Sequence, residues 1–243
     1  MIFKRNFFLN LAFKNKFFYK PFLYYNIYIR NLKFFFKESS SQDREDIFIK
    51  SFFKNKKKGT YIDIGCYNPI FWNNTFKLFQ RGWSGINIDA QKLNIDLFNI
   101  ARPKDYNICA IISDKEKKSK IINLEGENNS PVLTSSYSYA KKMKKIFNKK
   151  LIFEMVKTKT FKNIVKENNI KIKKINFLNI DCEGNDYNVL KSVNIKKYKP
   201  NLICIEISHL SSNIEKKNIL KYLKRNNYKL IKKNSVSSFF SRY

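Results

Sequence analysis

The stretch Tyr61-Ile62-Asp63-Ile64-Gly65-Cys66-Tyr67-Asn68-Pro69 reads as an apolar strand that ends in Asp-x-Gly, followed by a small residue and a loop leading into a helix. In an open α/β sheet a ligand sits beyond the carboxyl ends of the strands, where a glycine lets the backbone approach it closely. Asp and Gly also simply end strands, so the weight of this pattern comes from what stands around it.

Three further stretches repeat the theme. Gly85-Ile86-Asn87-Ile88-Asp89 is a second strand ending in an acid, about 26 residues after Asp63. Such an acid accepts hydrogen bonds from ribose hydroxyls in nucleotide-binding halves. A third strand runs to Ser113-Asp114, where an adenine amino group would lie. Phe177-Leu178-Asn179-Ile180-Asp181-Cys182-Glu183-Gly184-Asn185-Asp186 is a strand that enters an acidic turn and then a helix. An acid at the first strand end, in place of three glycines, suits a ligand with an amino group and no pyrophosphate. S-adenosylmethionine, with an ammonium and a sulfonium, is of that kind. The acids of the last stretch could instead cap the helix, with Gly184 easing the turn.

From Gly59 onward strand and helix patterns alternate, which implies βαβ units and a mainly parallel sheet. The spacing predicts strands over 61–64, 85–88, 107–112, 175–180 and 202–207, Ile-rich and nearly free of charge, as strands covered on both faces are. Helices are predicted over 73–81, 91–100, 161–168, 185–193 and 213–226, with two more strands over 228–232 and 237–242 joined by a turn at Asn234-Ser235. The fold expected is a doubly wound α/β domain with a seven-stranded sheet over residues 41–243. Residues 125–150 form a long insertion, expected to be a substrate loop.

Residues 1–40 differ: an arm crowded with Phe, Tyr, Lys and Arg, with no acid before Glu38. It could lie in a membrane interface, where rings sit at headgroup depth and cations meet anionic lipid, or pack as a helical arm on the domain or a second subunit. Pro21 is expected to break it in two. Residues 38–42 read as a linker into a short helix around 43–54 capped by Ser41 or Asp43.

The net charge is +30, with 49 Lys and Arg against 19 Asp and Glu. Two readings stand: an anionic partner, or a compositional bias that overuses Lys, Asn, Ile and Phe throughout. Four scattered cysteines (Cys66, Cys109, Cys182, Cys204) and one histidine, His209, give no zinc pattern and no disulfide framework. No metal site is expected, and a reducing cytoplasm is. No apolar run is long enough to cross a bilayer. The expected location is therefore cytoplasmic, with the arm as a candidate peripheral contact at the inner face of the membrane.

Several ordered motifs together resemble the FkbM-type methyltransferases over about residues 41–232. They are Ser41-Gln42-x-x-Glu45-Asp46, the 61–65 stretch, Asn74-Thr75 and Arg81-Gly82-Trp83-x-Gly85-Ile86-Asn87-Ile88-Asp89-Ala90. They continue with Ile180-Asp181-x-Glu183-Gly184-x-Asp186-x-x-Val189-Leu190-Lys191-Ser192, Tyr198-x-Pro200 and the strand ending in Glu206. The resemblance implies a class-I methyltransferase fold, S-adenosylmethionine as donor, and a hydroxyl acceptor on a sugar, polyketide or lipid-linked glycan. It makes Asp63, Gly65, Asp89 and Asp114 cofactor contacts, with Gln42 and Glu45 closing over them. Cys66, Ala90 and Ser113, beside those positions, complete the candidate cofactor set. The chain departs from similar members at Tyr67, Asn68 and Asn185, where those carry histidines, so the proton acceptor here would be another group.

Methyl transfer to a hydroxyl asks the protein for orientation and for a base. Asp181 is the candidate base, with Glu183 and Glu206 orienting the substrate, and His209 is a second candidate. Two rivals remain: an RNA methyltransferase on the same fold, and a non-catalytic membrane-associated protein with a degenerate cofactor pocket. The sequence holds no Asp/Asn-Pro-Pro-aromatic motif and no RNA-binding module, so nucleic acid is not favoured as partner.

Overall fold

The computed structural model describes residues 15–125, 133–208 and 210–242; His209 and the remaining parts of the arm and insertion lie outside the described residues. The strands are β1 (Thr60–Ile64), β2 (Ser84–Asp89), β3 (Tyr106–Cys109), β4 (Lys118–Leu124), β5 (Leu151–Lys157), β6 (Phe177–Ile180), β7 (Leu202–Glu206), β8 (Tyr228–Lys233) and β9 (Ser237–Arg242). The helices are α1 (Lys16–Tyr25), α2 (Leu32–Phe36), α3 (Glu45–Phe52), α4 (Phe76–Gln80), α5 (Lys92–Ala101), α6 (Tyr137–Phe147), α7 (Phe161–Glu167), α8 (Asp186–Ser192), α9 (Ile195–Tyr198) and α10 (Asn213–Arg225).

Seven strands form one sheet in the order β3-β2-β1-β6-β7-β9-β8, parallel except for β9, which runs against both neighbours. This is the doubly wound, mainly parallel sheet expected from the alternating pattern, and it agrees with the class-I methyltransferase fold that the resemblance implies. The strand order reverses between β1 and β6, and that switch point is where an open α/β sheet holds its ligand.

The period of two along each strand divides the core. Ile62 and Ile64 of β1 face Phe161, Ile164, Val189, Leu190, Ile219 and Leu223 of α7, α8 and α10. Tyr61 points the other way, into a cluster with Ile49, Phe53, Leu78, Trp83 and Phe177 under α3 and α4. Asp63 shares the face of Tyr61. Its direction decides its role.

Three local expectations are corrected. Pro21 lies inside α1 instead of ending it. The change of pitch comes later, as a π-helical turn over Asn26–Arg30. Burial of Leu23 and Ile27 against Ile70, Phe76, Leu93 and Leu97 anchors this stretch, and each such side chain contributes about 1.5–3 kcal/mol, of the order of the cost of an interior proline. Helix α3 starts at Arg44, in the left-handed region at φ 59°, with no side-chain cap. Ser41 Oγ still accepts from Asp46 N at 3.0 Å, but Asp43 serves the β8–β9 turn, accepting from Ser235 N at 3.0 Å and Ser235 Oγ at 2.6 Å.

The third correction is the insertion. It begins at Lys118 and is built: β4 and β5 pair antiparallel, and α6, capped by Ser136, buries Tyr139, Ala140 and Met143. Its strands went unread because Lys118 and Lys120 break the start of β4, and β5 exposes most of its length to solvent.

Candidate active site

A cavity of about 420 Å³ opens at the carboxyl edge of β1, β2, β6 and β7. Its size is that of a small-molecule site. The sheet supplies Ile64, Gly65, Asp89, Asp181 and Glu206, and the insertion supplies Thr134, Tyr139, Met143 and Phe147. Four carboxylates line it (Asp89, Asp181, Glu183, Glu206) and, among the described residues, no lysine or arginine does. That lining stands in a chain of net charge +30.

The floor is stitched tightly. Gly65 N donates to Ile88 O at 2.9 Å and Asp181 N to Ile64 O at 3.0 Å. Gly65 has φ +78°, and a Cβ there would fall 1.8 Å from the Asp181 carbonyl oxygen. Only glycine fits this junction of β1 and β6.

Asp89 is locked by its own loop. It accepts from Tyr67 N at 2.9 Å, Gln91 N at 2.8 Å and Asn94 Nδ2 at 3.0 Å. Burial still holds its carboxyl above the usual range. A carboxylate has about four acceptor sites, so one remains for a ligand hydroxyl.

Asp181, Glu183 and Glu206 bring carboxylate oxygens within 4.8 Å of one another. The Asp181 carboxyl opens to the cavity, while protein atoms enclose its other sides. That enclosure, with Asp63 and Glu45 as nearby like charges, pushes it up to about 7. Burial, then Asp181, raises Glu206 well above its ordinary value, and burial, then Glu206, does the same for Glu183. Crowded carboxyls of this kind hold protons or draw a cation. The sequence marks Asp181 and Glu183 as one acidic turn, weighed there as base, cation partner or metal ligand, and the fold brings Glu206 from the end of β7 up to it.

The matching family explains the arrangement: residues 59–230 match the methyltransferase FkbM domain. The chain belongs to the FkbM methyltransferase family. It is a methyltransferase, and the family implies S-adenosylmethionine as its donor. No curated protein matches the chain.

Within the FkbM domain the candidate residues divide. Gly65, Asp89, Ala90, Asp181 and Glu183 line the cavity, as does Gln42 from the segment before the matched span. Asp63 does not. It faces the α3–α4 side, where Asn179 Nδ2 donates at 2.8 Å, Thr75 Oγ1 at 2.8 Å and Asn73 Nδ2 at 3.2 Å. The buried Arg102 completes the network, reaching Thr75 Oγ1 and Asn73 Oδ1 at 2.8 Å each. Asp63 therefore fastens the β1 loop from behind.

Four other candidate cofactor contacts also fall outside the cavity. Glu45 turns to Asp43 N at 2.8 Å and Ser237 Oγ at 3.2 Å. Cys66 packs in a small cluster with Ile95 and Phe98. Ser113 and Asp114 are carried away because β3 stops at Cys109 and the chain then crosses to a bridge between Ile112 and Lys159. Asp114 there pairs with Lys191 at 2.6 Å, whose hydrogen bond holds its carboxyl below the usual range. Ala110, Ile111 and Ile112 take their place at the cavity wall.

The FkbM domain's acidic turn is itself divided. Asp186 closes it, accepting from Cys182 N at 2.8 Å and Gly184 N at 3.0 Å, which leaves Asp181 and Glu183 for the cavity. Of the positions where similar members carry histidines, Tyr67 and Asn185 line the cavity, whereas Asn68 accepts from Ile70 N and Phe71 N and shapes the loop. The candidate base His209 lies outside the described residues. The residues unread in sequence were Tyr139 and Thr134, far in the chain from the Glu183 they contact, together with Trp72 and with Asn94, which stands five residues from Asp89.

Proposed function

We propose that this FkbM protein transfers the methyl group of S-adenosylmethionine to a hydroxyl of a sugar, glycan or lipid-linked acceptor. The observation that carries the reading is the acid-lined cavity of a strongly basic chain, with no lysine or arginine in its lining among the described residues: such a lining favours a cationic ligand. It equally disfavours a phosphodiester, which counts against RNA as acceptor.

The residues present fit the donor. Asp89, at the end of β2, is placed to accept ribose hydroxyls, and the carboxylates at the ends of β6 and β7 offer an ammonium or sulfonium its counter-charge. Bound there, S-adenosylmethionine supplies a methyl group already activated by the sulfonium. Asp181 then takes the acceptor's hydroxyl proton onto its carboxylate oxygen. A carboxyl near 7 is well matched to that task at neutral pH. Glu183 and Glu206 orient the acceptor, and α6 closes water out.

Calorimetry with S-adenosylhomocysteine tests the donor half. Binding in the micromolar range is expected, weakened by about 1–3 kcal/mol in Asp89→Ala, the cost of leaving bound hydroxyls unpaired. No binding by the wild type, or equal binding by the variant, would remove the reading. Asp63→Asn serves as control, with lowered stability and little change in affinity per folded molecule.

A further inference from the structure

The described part of the arm carries two apolar faces, and among the described residues only one is covered. Leu23 and Ile27 bury one face against α4 and α5, and Tyr19 Oη donates to Asp96 at 2.6 Å, pinning that side. The opposite face repeats at helical spacing: Phe17, Lys20, Pro21, Tyr24 and Tyr28 all lie exposed. Tyr24 and Tyr28 stack at 5.9 Å on that side. Further along, Ile29 and Phe36 are 67% and 84% exposed. The cations are interleaved, Lys20 between Phe17 and Tyr24, and Lys33 and Lys37 over the ring of Phe34 at 5.4 and 5.0 Å. Not one acid stands between Asn15 and Lys37. Meanwhile no helix among the described residues is long and apolar enough to cross a membrane.

We infer that this face docks on an anionic lipid surface and brings the cavity mouth down to it. Rings and aliphatics at this density suit the headgroup region, and the acid-free cations complement anionic lipid. The mouth lies next to the docked face: Phe34 packs on Phe71 at 5.7 Å, and Phe71 touches Tyr67 at 5.7 Å and Trp72 at 5.6 Å. Tyr67 and Trp72 line the cavity. An acceptor held in the lipid surface would reach the cavity along these rings. That last step rests on the proposed methyl transfer, whereas docking does not.

The test is co-sedimentation of the full chain with phosphatidylglycerol–phosphatidylcholine vesicles and with phosphatidylcholine alone, at low and high salt. Anionic vesicles should pellet the protein preferentially, and salt should weaken the pelleting. Lys20→Glu with Lys33→Glu and Lys37→Glu should lower the partition coefficient on the order of a hundredfold or more. Tyr24→Ser with Tyr28→Ser and Phe36→Ser should lower it at any salt, while binding S-adenosylhomocysteine as the wild type does. Brominated lipid should quench the exposed Trp72 and leave Trp83, 2% exposed, emitting; Trp72→Phe should abolish the quenching. Equal pelleting by both variants, or no preference for anionic vesicles, overturns docking. Pelleting without quenching overturns the placement of the mouth. A wild-type dimer that the serine variant converts to monomer, with neither form pelleting, makes the face a contact between copies and also overturns the inference. Each result is read separately from methyl transfer, so failure here leaves the donor reading to its own test.

Discussion

The hydroxyl of Tyr139, on helix α6 of the insertion, donates a hydrogen bond to the carboxylate of Glu183 in the loop after β6. Thr134 Oγ1 donates to the carbonyl of the same residue, and Gly184, at φ +88°, allows the approach, since a Cβ there would lie 3.1 Å from Ser136 Cβ. The insertion is thus tied to the acidic turn at three adjacent points. It forms a wall of the cavity by contact with the turn that carries Asp181 and Glu183.

Tyr139→Phe keeps the packing and removes the bond to Glu183. Turnover should fall severalfold to about tenfold, with S-adenosylhomocysteine affinity changed less than twofold, since a hydrogen bond is worth about 0.5–1.5 kcal/mol. Steady-state methyl transfer and calorimetry on the same preparation check this. A loss confined to donor affinity would put α6 over the donor.

Asp181→Asn should cut turnover by about 100-fold or more, the usual contribution of a positioned base, and leave donor binding nearly intact. In the wild type the rate should rise with pH through about 7, as the carboxyl pushed to that value loses its proton. The variant should lose that inflection. A pH–rate profile that keeps it would move the base to another group, with Glu206 and His209 next in line.

Stability should fall as pH rises from 5 to 8. Ordinary carboxyls are already ionised at pH 5, so this window reads the raised carboxyls at the cavity, Asp181 together with Glu183 and Glu206. The folded state holds a proton on Asp181 up to about 7, against an ordinary value of 3.8. The unfolded chain therefore binds fewer protons throughout the window, and stability declines with pH until the folded carboxyl also ionises. Thermal melts of the ligand-free protein should show the decline, and Asp181→Asn should make it shallower, the remainder belonging to Glu183 and Glu206. A melting temperature that climbs over this range in the wild type would contradict the assignment.

Arg102→Met removes the cation from the Asp63 network and leaves that buried carboxylate without its counter-charge. Breaking such a pair costs about 3–5 kcal/mol, which in a chain of this size lowers Tm by roughly 10 °C. Replacing both partners, Asp63→Asn with Arg102→Met, should recover part of the loss. Differential scanning calorimetry of the two variants decides it; additive losses would show that the two residues act independently.

The fold was legible because its signals are local. The Ile-rich runs of β1, β2, β6 and β7, each ending in an acid or glycine, mark buried parallel strands whatever their neighbours, and the order of strands and helices follows from the period of the apolar residues. Strands β4 and β5 lack that signal: lysines break the start of β4, most of β5 is exposed, and the two are held by each other.

The sequence by itself determined that acids stand at the ends of four strands; the tertiary structure decided which of them meet a ligand. Asp63 and Asp89 look alike as strand-end acids, yet Asp63 faces Thr75 and Asn73 behind the sheet while Asp89 lines the cavity. Asp63 is opposite Asn87 inside the ladder, whereas Asp89 stands two residues further along, past the end of β1 at the sheet's carboxyl edge, and the early end of β3 moved Asp114 away to Lys191. The elevated carboxyl of Asp181 is likewise a product of assembly: it needs Asp63 and Glu45, distant in the chain, folded to within reach of its charge. Strand ends are written in local composition, whereas the electric field at a strand end is the sum over everything the fold brings near it.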